Sequence, residues 1–303
     1  DGDNDNLVLN MEQSSDAPDG FNNSLKLTVA TPESTVVTDE QASIQYRIEA
    51  QDLQGVAFGT STANAFTVSF WVKSSVTGTF ALNAHNLDAS RLITETFSID
   101  ASNTWEYKTI TIAGDTSGSF NDDNGIGLQL SFFLMAGPDR EGTSADTWRS
   151  YLKDALATGI NNNLCTTSGA TWQITGVQLE LGKVATPFEH RSYGEELALC
   201  QRYYVDFSAH QSGQSYEKLG MFQGGNNTTS GFTYTQFPVT MRTAPSLVVS
   251  TTASDYGIYQ GSDIVCTAVP TLNTNCTRHN GVCSLTATGL EAKGSGIFQE
   301  NNN

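Results

Sequence analysis

Thr67-Val-Ser-Phe-Trp-Val-Lys73 decides the fold, because polar and apolar side chains alternate along it. Val68, Phe70 and Val72 fall on one face, as expected for a β-strand that lays one face against a core. Trp71 falls on the other face, which predicts a ring exposed on the surface of the sheet. The stretch therefore predicts a half-buried β-strand.

Strand-like runs of the same kind continue on both sides of this stretch. They are Asn6–Asn10, Ser24–Ala30, Ala42–Glu49, Gly78–Asn83, Leu92–Ile99, Glu106–Ile112, Gly127–Met135 and Thr171–Glu180. The segments Asp16–Gly20, Gly114–Gly118 and Asn121–Gly125 have the residues that tight turns need. About nine strands in one domain are typical of a jelly roll or a related sandwich.

One segment before the last of these strands departs from the strand pattern. Its larger apolar residues stand at helical spacing: Trp148, Tyr151, Leu152, Ala155 and Leu156. Asp146 is a candidate helix N-cap and Gly159 a candidate end. We predict a short helix inserted in the first domain, which in its simplest role covers an open end of the sandwich.

A second helix is predicted at Glu195–Tyr204, since Ser192 and Glu195 have the spacing of a capping box. The boundary then falls near Tyr193, which gives a jelly roll at residues 1–192 and a smaller β-sandwich at residues 193–303. The predicted strands of this second domain are Tyr203–Ser208, Glu217–Phe222, Gly231–Phe237, Ser246–Ser250, Ile264–Ala268 and Val282–Ala287.

Composition limits the classes of partner. The net charge is -17 and the pI about 4.4, which argues against binding nucleic acid or an anionic membrane, because both favour a basic patch. Uncharged sugars and cationic partners remain open. No apolar run is long enough to span a membrane, and no signal peptide is visible.

The chain begins at Asp1 without a methionine and ends at Asn303, just after a strand-like run that needs a partner. We therefore expect a fragment or a processed chain. The five cysteines, an odd number at irregular spacing, make a poor disulfide framework and favour assembly in a reducing cytosol.

Two metal sites have partial support in the sequence. Cys266, Cys276, His279 and Cys283 have the residue types of a zinc site, although their intervals are unusual, so zinc, a local disulfide and free thiols all remain open. The acidic start Asp1–Asp5 with Glu12 matches the spacing of a calcium-binding EF-hand loop, except that Asn6 replaces glycine and neither flank predicts a helix. We predict no cofactor and keep calcium as the alternative to an acidic, solvated end.

Nothing in the sequence forms a recognisable catalytic set. The histidines His85, His190, His210 and His279 have no nucleophile motif beside them. Glu180 and Glu189 bracket a turn and could imitate an acid/base pair, but an ion pair of Glu189 with Arg191 or Arg202 is the simpler interpretation. We predict that the protein is not an enzyme.

The run from Trp172 to Tyr204, which includes Gly176-Val-Gln-Leu-Glu180 and Pro187-Phe-Glu-His-Arg-Ser-Tyr193, resembles the junction segment of tail-fibre and appendage proteins from phages of marine bacteria. Val68–Ser74 and Trp105–Ile112 resemble strands of carbohydrate-binding jelly rolls in the same proteins. Phe237–Pro245 resembles the start of their C-terminal β domain. The chain differs from the family at both ends, where members have an Asn-Gly-rich leader and a further closing strand.

This resemblance implies a structural protein of the virion, assembled in the host cytoplasm and recognising host-surface glycans. It also implies a homo-oligomer, most often a trimer, that contacts other virion proteins. The alternative is a capsid-decorating or head-fibre protein without a receptor site of its own.

Sugars bind jelly rolls on aromatic faces, with polar groups on their hydroxyls. We therefore predict glycan contacts at Trp148, Tyr151, Trp105 and Trp172. Trp148 and Tyr151 are favoured because the inserted segment is not needed to complete a sandwich. The alternative is that these two side chains simply pack over the end of the sandwich.

Overall fold

The computed structural model describes residues 6–143, 146–207 and 216–301. Residue contacts divide it into two compact units, Asp1–Glu189 and His190–Asn303. Both units consist mainly of antiparallel strands, as the short alternating runs and frequent turns of the sequence require.

The described part of the first unit has ten strands and three short 3₁₀ turns. The strands are β1 (Val8–Ser14), β2 (Ser24–Thr31), β3 (Gln41–Glu49), β4 (Phe66–Ser74), β5 (Gly78–Asn86), β6 (Arg91–Ile99), β7 (Glu106–Ile112), β8 (Ile126–Ala136), β9 (Arg149–Ser150) and β10 (Thr171–Leu181). The 3₁₀ turns are Ala50–Val56, Pro138–Arg140 and Lys153–Ala155.

These strands form two five-stranded sheets packed face to face. The first sheet has the order β1-β2-β10-β4-β7 and the second the order β3-β8-β5-β6-β9. Phe70 of the first sheet contacts Phe97 and Phe132 of the second, with ring centroids 5.1 and 5.0 Å apart. The predicted all-β class and jelly-roll sandwich are confirmed.

The alternation that predicted β4 also determines which of its side chains enter the core. Val68, Phe70 and Val72 are fully buried, whereas Trp71 lies on the outer face and is only partly buried. All nine strand-like runs predicted for the first domain fall on strands, with bounds that differ by a few residues.

The helix predicted around Trp148–Leu156 is wrong. Leu152 has extended backbone, with φ -135° and ψ 130°, and the residues on either side form β9 and a 3₁₀ turn. Ala155, Leu156 and Ala157 instead pack on the outer face of the second sheet, against a cluster that includes Phe133. Packing against that sheet stabilises this backbone more than the helical spacing would stabilise a helix. The segment therefore covers a sheet face, whether or not it also covers an end of the sandwich.

The second unit, in its described part, has one helix and six strands. They are α1 (Tyr193–Gln201), β11 (Tyr216–Gly224), β12 (Ser230–Gln236), β13 (Tyr256–Tyr259), β14 (Asp263–Leu272), β15 (Asn280–Ala287) and β16 (Ser295–Asn301), with a 3₁₀ turn at Ala253–Asp255. The predicted capping box is present, because the Ser192 side chain accepts from the Glu195 amide and the Glu195 carboxylate accepts from the Ser192 amide.

The six strands close into a barrel, β11-β12-β15-β14-β13-β16, where the sequence predicted a second sandwich. Closure comes from β16, which pairs with β11 on one side and β13 on the other. The strand-like run near Asn303 therefore has two partners within this chain. The segment Ser246–Ser250, predicted as a strand, is irregular.

The helices of the described residues are short, and none is long and apolar enough to cross a membrane.

Candidate functional site

The four aromatic residues predicted to bind glycan lie in four different places. Trp172 is fully buried in the core between the sheets. Its indole Nε1 has no hydrogen-bond partner among the described residues. A ring without exposed surface cannot stack on a sugar, so the prediction for Trp172 is wrong.

Trp148 packs against one end of the sandwich core. Its ring meets Phe58 edge to face with centroids 5.3 Å apart, and its indole Nε1 donates to the carbonyl of Ala113. The backbone carbonyl of Trp148 also accepts from Arg91, whose guanidinium forms a bidentate ion pair with the buried Asp115. These contacts favour the alternative, that Trp148 packs against the sandwich, while its contact with a glycan stays a prediction.

Trp105 lies on the outer face of the first sheet beside an ion pair. Its Nε1 donates to Asp16 at 3.0 Å, and the Lys73 ammonium lies 5.9 Å from its ring centroid. Lys73 and Asp16 are 2.6 Å apart. These hydrogen bonds, first from Lys73 and then from Trp105, hold the pKa of Asp16 below its usual range. The ammonium next to the ring leaves Trp105 less open to a sugar.

Tyr151 follows β9 and lies on the outer face of the second sheet. Its side chain is 40% exposed, and its ring stacks on the imidazole of His85 with centroids 5.0 Å apart and planes 21° apart. The amide of Tyr151 donates to the carbonyl of Ser90 at 2.8 Å, which fixes the backbone below the ring. Tyr151 is thus an exposed aromatic face held in one position.

A row of polar side chains crosses the same sheet face next to Tyr151. Arg47 of β3 pairs in register with Gln129 of β8, which pairs in turn with His85 of β5. The Arg47 Nε donates to Gln129 Oε1 at 3.0 Å, and its Nη2 donates to Gln45 at 3.2 Å. We call Arg47, Gln129, His85 and Tyr151 the polar face.

His85 has unused hydrogen-bonding capacity within this face. Its Nε2 is buried and finds no partner in the described part of the chain. Burial lowers the pKa of His85, because it penalises the charged imidazolium. The ring is therefore a neutral imidazole with one free nitrogen beneath an aromatic side chain.

A second row beneath the inserted segment stiffens the polar face. Asn83 donates to the hydroxyl of Thr94 at 2.8 Å, and this hydroxyl donates to the carbonyl of Ala155 at 2.7 Å. Both side chains are buried. The chain of hydrogen bonds ties the segment that carries Tyr151 to the sheet that carries His85.

Of the polar face, only Tyr151 is predicted from the sequence; Arg47, Gln129 and the position of His85 beneath the ring are not. The signal was present, because Gln45 and Arg47 stand two apart on β3 and Gln129 and Ser131 stand two apart on β8. That spacing puts each pair on one sheet face. Which strands are neighbours, and therefore that the two pairs meet, is not contained in the local pattern.

A second aromatic surface lies on the first sheet. Trp71 and Tyr107 are opposite each other on β4 and β7, with ring centroids 5.3 Å apart. Tyr107 is 45% exposed. On the same face, two residues from Trp71, Lys73 lies opposite Gln173, and both donate to Asp16. These polar groups are already bonded within the protein, so the aromatic pair serves as a comparison surface.

Glu180, one of the two carboxylates that imitate an acid/base pair, is bound to its own loop. Glu180 accepts hydrogen bonds from the backbone and hydroxyl of Thr186, and the hydroxyl contact above all lowers its pKa. A catalytic acid needs a raised pKa instead. The recorded ion pair of Arg191 is with Glu196, at 3.2 Å.

No group of three or more metal-binding side chains comes together in the residues described. Cys266, Cys276 and Cys283 are free thiols, and the Cys276 sulfur contacts the carbonyl of Asn280. The predicted calcium loop falls largely on residues 1–5, which lie outside the described residues, as does His210.

No family model matches the chain, and no curated protein matches it. Solved structures with a similar fold include the enzymatically active domain of tailspike protein 4 from bacteriophage CBA120, at 12% identity and a TM-score of 0.34. That match covers 59% of this chain but only 20% of the tailspike chain.

Two carbohydrate-binding modules are also similar. The family 11 module of a cellulosomal cellulase from Clostridium thermocellum is 11% identical, with a TM-score of 0.31. The match spans 59% of this chain and 85% of the module. The CBM22-1 xylan-binding domain from Paenibacillus barcinonensis is 12% identical with a TM-score of 0.28, and 59% of this chain covers 86% of it. Identities this low carry no activity over to this chain.

Proposed function

We propose that the chain is a non-enzymatic subunit of a phage tail fibre or similar appendage, and that its jelly roll recognises host-surface glycans. The observation that carries the glycan part is the polar face, where the exposed ring of Tyr151 stacks on His85 beside the Arg47–Gln129 pair. The phage part is supported by the resemblance of the junction segment Trp172–Tyr204.

The polar face has the groups that a sugar ring needs. An aromatic face accepts the C–H groups of a pyranose, while amide and guanidinium nitrogens bind its hydroxyls. Arg47 is already held by hydrogen bonds to Gln129 and Gln45, so little side-chain freedom is lost when a ligand binds. The Nε2 of His85 is buried, so the imidazole supports the ring of Tyr151 from below and does not contact the sugar itself.

Binding at one such open surface is weak, and oligomers compensate for this. A trimer would present three copies of the polar face, so avidity would hold the particle on a cell surface covered with repeated glycans. We place the protein in the virion, in contact with copies of itself and other virion proteins. Sedimentation equilibrium of the purified chain tests this part, and a monomer at micromolar concentration would contradict it.

The glycan part is tested on an array of bacterial surface polysaccharides probed with the whole chain and three variants. Tyr151→Ala should weaken binding about tenfold or more, because the aromatic platform is lost. Tyr107→Ala is the matched control, an equally exposed ring on the opposite sheet, and should bind normally. Trp148→Ala tests the packing role and should reduce stability more than affinity.

Three outcomes would overturn the assignment to the polar face. If the unmodified chain binds no glycan, the capsid-decorating role becomes the better proposal. If Tyr107→Ala abolishes binding while Tyr151→Ala does not, the site lies on the first sheet. If the chain shortens a bound polysaccharide during incubation, the protein turns its ligand over and the non-enzymatic assignment is wrong.

A further inference from the structure

The barrel of the second unit is filled by side chains at one end only. The buried cluster there comprises Phe222, Tyr256, Ile258, Cys266, Leu285, Ala287, Leu290 and Phe298. These residues come from five of the six strands and from the loop before β16. They are all buried and pack against one another at this end.

The other end holds a cavity of about 850 Å³, lined entirely by residues of the second unit. On β12 and β15 its floor is built from small residues in register, Thr233 opposite Cys283 and Thr235 opposite Gly281. At the filled end, the inward positions of β15 carry the apolar residues Leu285 and Ala287 instead. The cavity exists because small side chains occupy the inward positions at this end.

Aromatic rings form much of the wall. Phe237, Tyr256 and Phe298 line the cavity and are each less than a tenth exposed. The segments 202–207 and 241–250 border it and add Tyr203, Tyr204 and Pro245. A cavity of this size with aromatic walls lies within the range of small-molecule sites, which is roughly 300–1,000 Å³.

The floor of the cavity carries a buried hydroxyl group that makes no hydrogen bond within the described part of the chain. Thr233 is 2% exposed, and its Oγ1 has no hydrogen-bond partner among the residues that the structure describes. A Cβ at Gly220 would lie 2.7 Å from this oxygen, so glycine at that position keeps the space beside it open. A buried hydroxyl without a partner costs free energy, which a ligand with a hydroxyl of its own would recover.

The charges around the cavity balance. Arg202 and Arg242 line it together with Asp206 and Glu300. Burial and the neighbouring Cys276 raise the pKa of the Cys283 thiol, so the floor remains uncharged at neutral pH. A cavity with balanced charges and aromatic walls favours a neutral ligand that has both an apolar face and hydroxyl groups.

We propose that the open end of the barrel is a second ligand site, which takes a neutral saccharide of one to a few rings. The rings of Phe237 and Tyr256 face the apolar side of the sugar, and the Thr233 hydroxyl bonds one of its hydroxyls. This site is independent of the polar face, because every lining residue belongs to the second unit.

Cys283 gives a readout that reports on this cavity alone. The whole chain with Tyr151→Ala, which weakens binding at the polar face, is treated with iodoacetamide at about pH 9, where more of the Cys283 thiol is ionised and can react. The reaction is run with and without glucose, galactose, mannose, N-acetylglucosamine or their disaccharides. Peptide mass spectrometry then gives the rate at each cysteine. A sugar that enters the cavity should slow alkylation of Cys283 severalfold, while the exposed Cys200 reacts at an unchanged rate.

Two variants test whether the hydroxyl of Thr233 bonds the sugar. Thr233→Val has nearly the same shape and should need about five- to tenfold more sugar for the same protection, as expected for one lost hydrogen bond. Tyr234→Phe, its neighbour on the outer face of β12, should protect normally. If no sugar slows Cys283, or if only the aromatic anion anilinonaphthalene sulfonate does, the saccharide site is refuted. Equal protection of Thr233→Val and the parent would also refute it.

Discussion

The jelly roll and the barrel both consist of antiparallel strands, but they fill their interiors differently. Between the two sheets, Phe70 contacts Phe97 and Phe132 in a continuous aromatic core. Inside the barrel, the packed cluster stops partway and a cavity of about 850 Å³ begins. The first interior serves to hold two sheets together, whereas the second leaves room for a ligand.

This difference shows that strand alternation determines which side chains point inward, but not whether they fill the space. The inward positions of β4 carry Val68, Phe70 and Val72, which occupy the sandwich completely. The inward positions of β12 include Thr233 and Thr235, which do not. In the jelly roll, binding is therefore expected on an outer face, and in the barrel, on the inside.

The largest expected effect comes from breaking the filled interior. Phe70→Ala should lower the free energy of unfolding of the jelly roll by about 3–5 kcal/mol, because it leaves a cavity between the sheets. Urea denaturation followed by tryptophan fluorescence measures this loss. Leu181→Ala, at a site 59% exposed, is the control and should change stability little. A loss below about 1 kcal/mol for Phe70→Ala would mean that the core is not packed as described.

The next effect tests the cover of the polar face. Thr94→Val removes the hydroxyl that links Asn83 to the carbonyl of Ala155 and should cost about 1–3 kcal/mol. Hydrogen exchange should show faster exchange in the segment 149–157 as well. Thr96→Val, an exposed position on the same strand and face, should cost much less. Equal losses for the two variants would show that the buried hydrogen bonds do not hold the segment.

A smaller effect of opposite sign is expected in the barrel. Thr233→Val replaces an unpartnered buried hydroxyl with a methyl group. The free energy of unfolding of the second unit should therefore stay the same or rise by up to about 1 kcal/mol. Thr271→Val, at an exposed site on β14, is the control. Thermal unfolding followed by circular dichroism measures the change in stability for both variants. A clear destabilisation by Thr233→Val would indicate that the hydroxyl has a partner.

The smallest effect is a pH dependence at the polar face. The folded protein holds the pKa of His85 below its ordinary value, so the unfolded chain binds more protons once the pH falls below about 6.5. This histidine therefore lowers stability as the pH falls through that value and has no effect well above it. His85→Gln should reduce the loss of stability between about pH 7.5 and pH 5. Parallel curves for His85→Gln and the parent chain would contradict the prediction.

Much of the fold could be predicted from local pattern. The strands of the jelly roll and the capping box at Ser192 depend on residues close in sequence. The pattern of β10 also indicated that Trp172 is buried, because Trp172 and Ile174 alternate with Thr171 and Gln173. The ring was assigned to a sugar on residue type alone, and its position in the alternation is the better guide.

What could not be predicted depends on contacts between distant residues. The helical spacing around Tyr151 is real, but the outer face of the second sheet offers Ala155 and Leu156 more burial than a free helix would. Barrel closure depends on β16 meeting both β11 and β13, which no local signal records. The candidate site has the same limit, since Arg47, Gln129 and Tyr151 come onto one face only after all five strands of the second sheet have paired.

The position of β16 has a consequence for synthesis on the ribosome. Its partner β11 emerges far ahead of it, so β11 and β13 each keep an unpaired edge until Ser295–Asn301 has been made. Unpaired edges readily recruit strands from other chains. A nascent chain that stalls before Ser295 would therefore expose two such edges, and premature termination should lead to aggregation even though the jelly roll ahead of it has already folded.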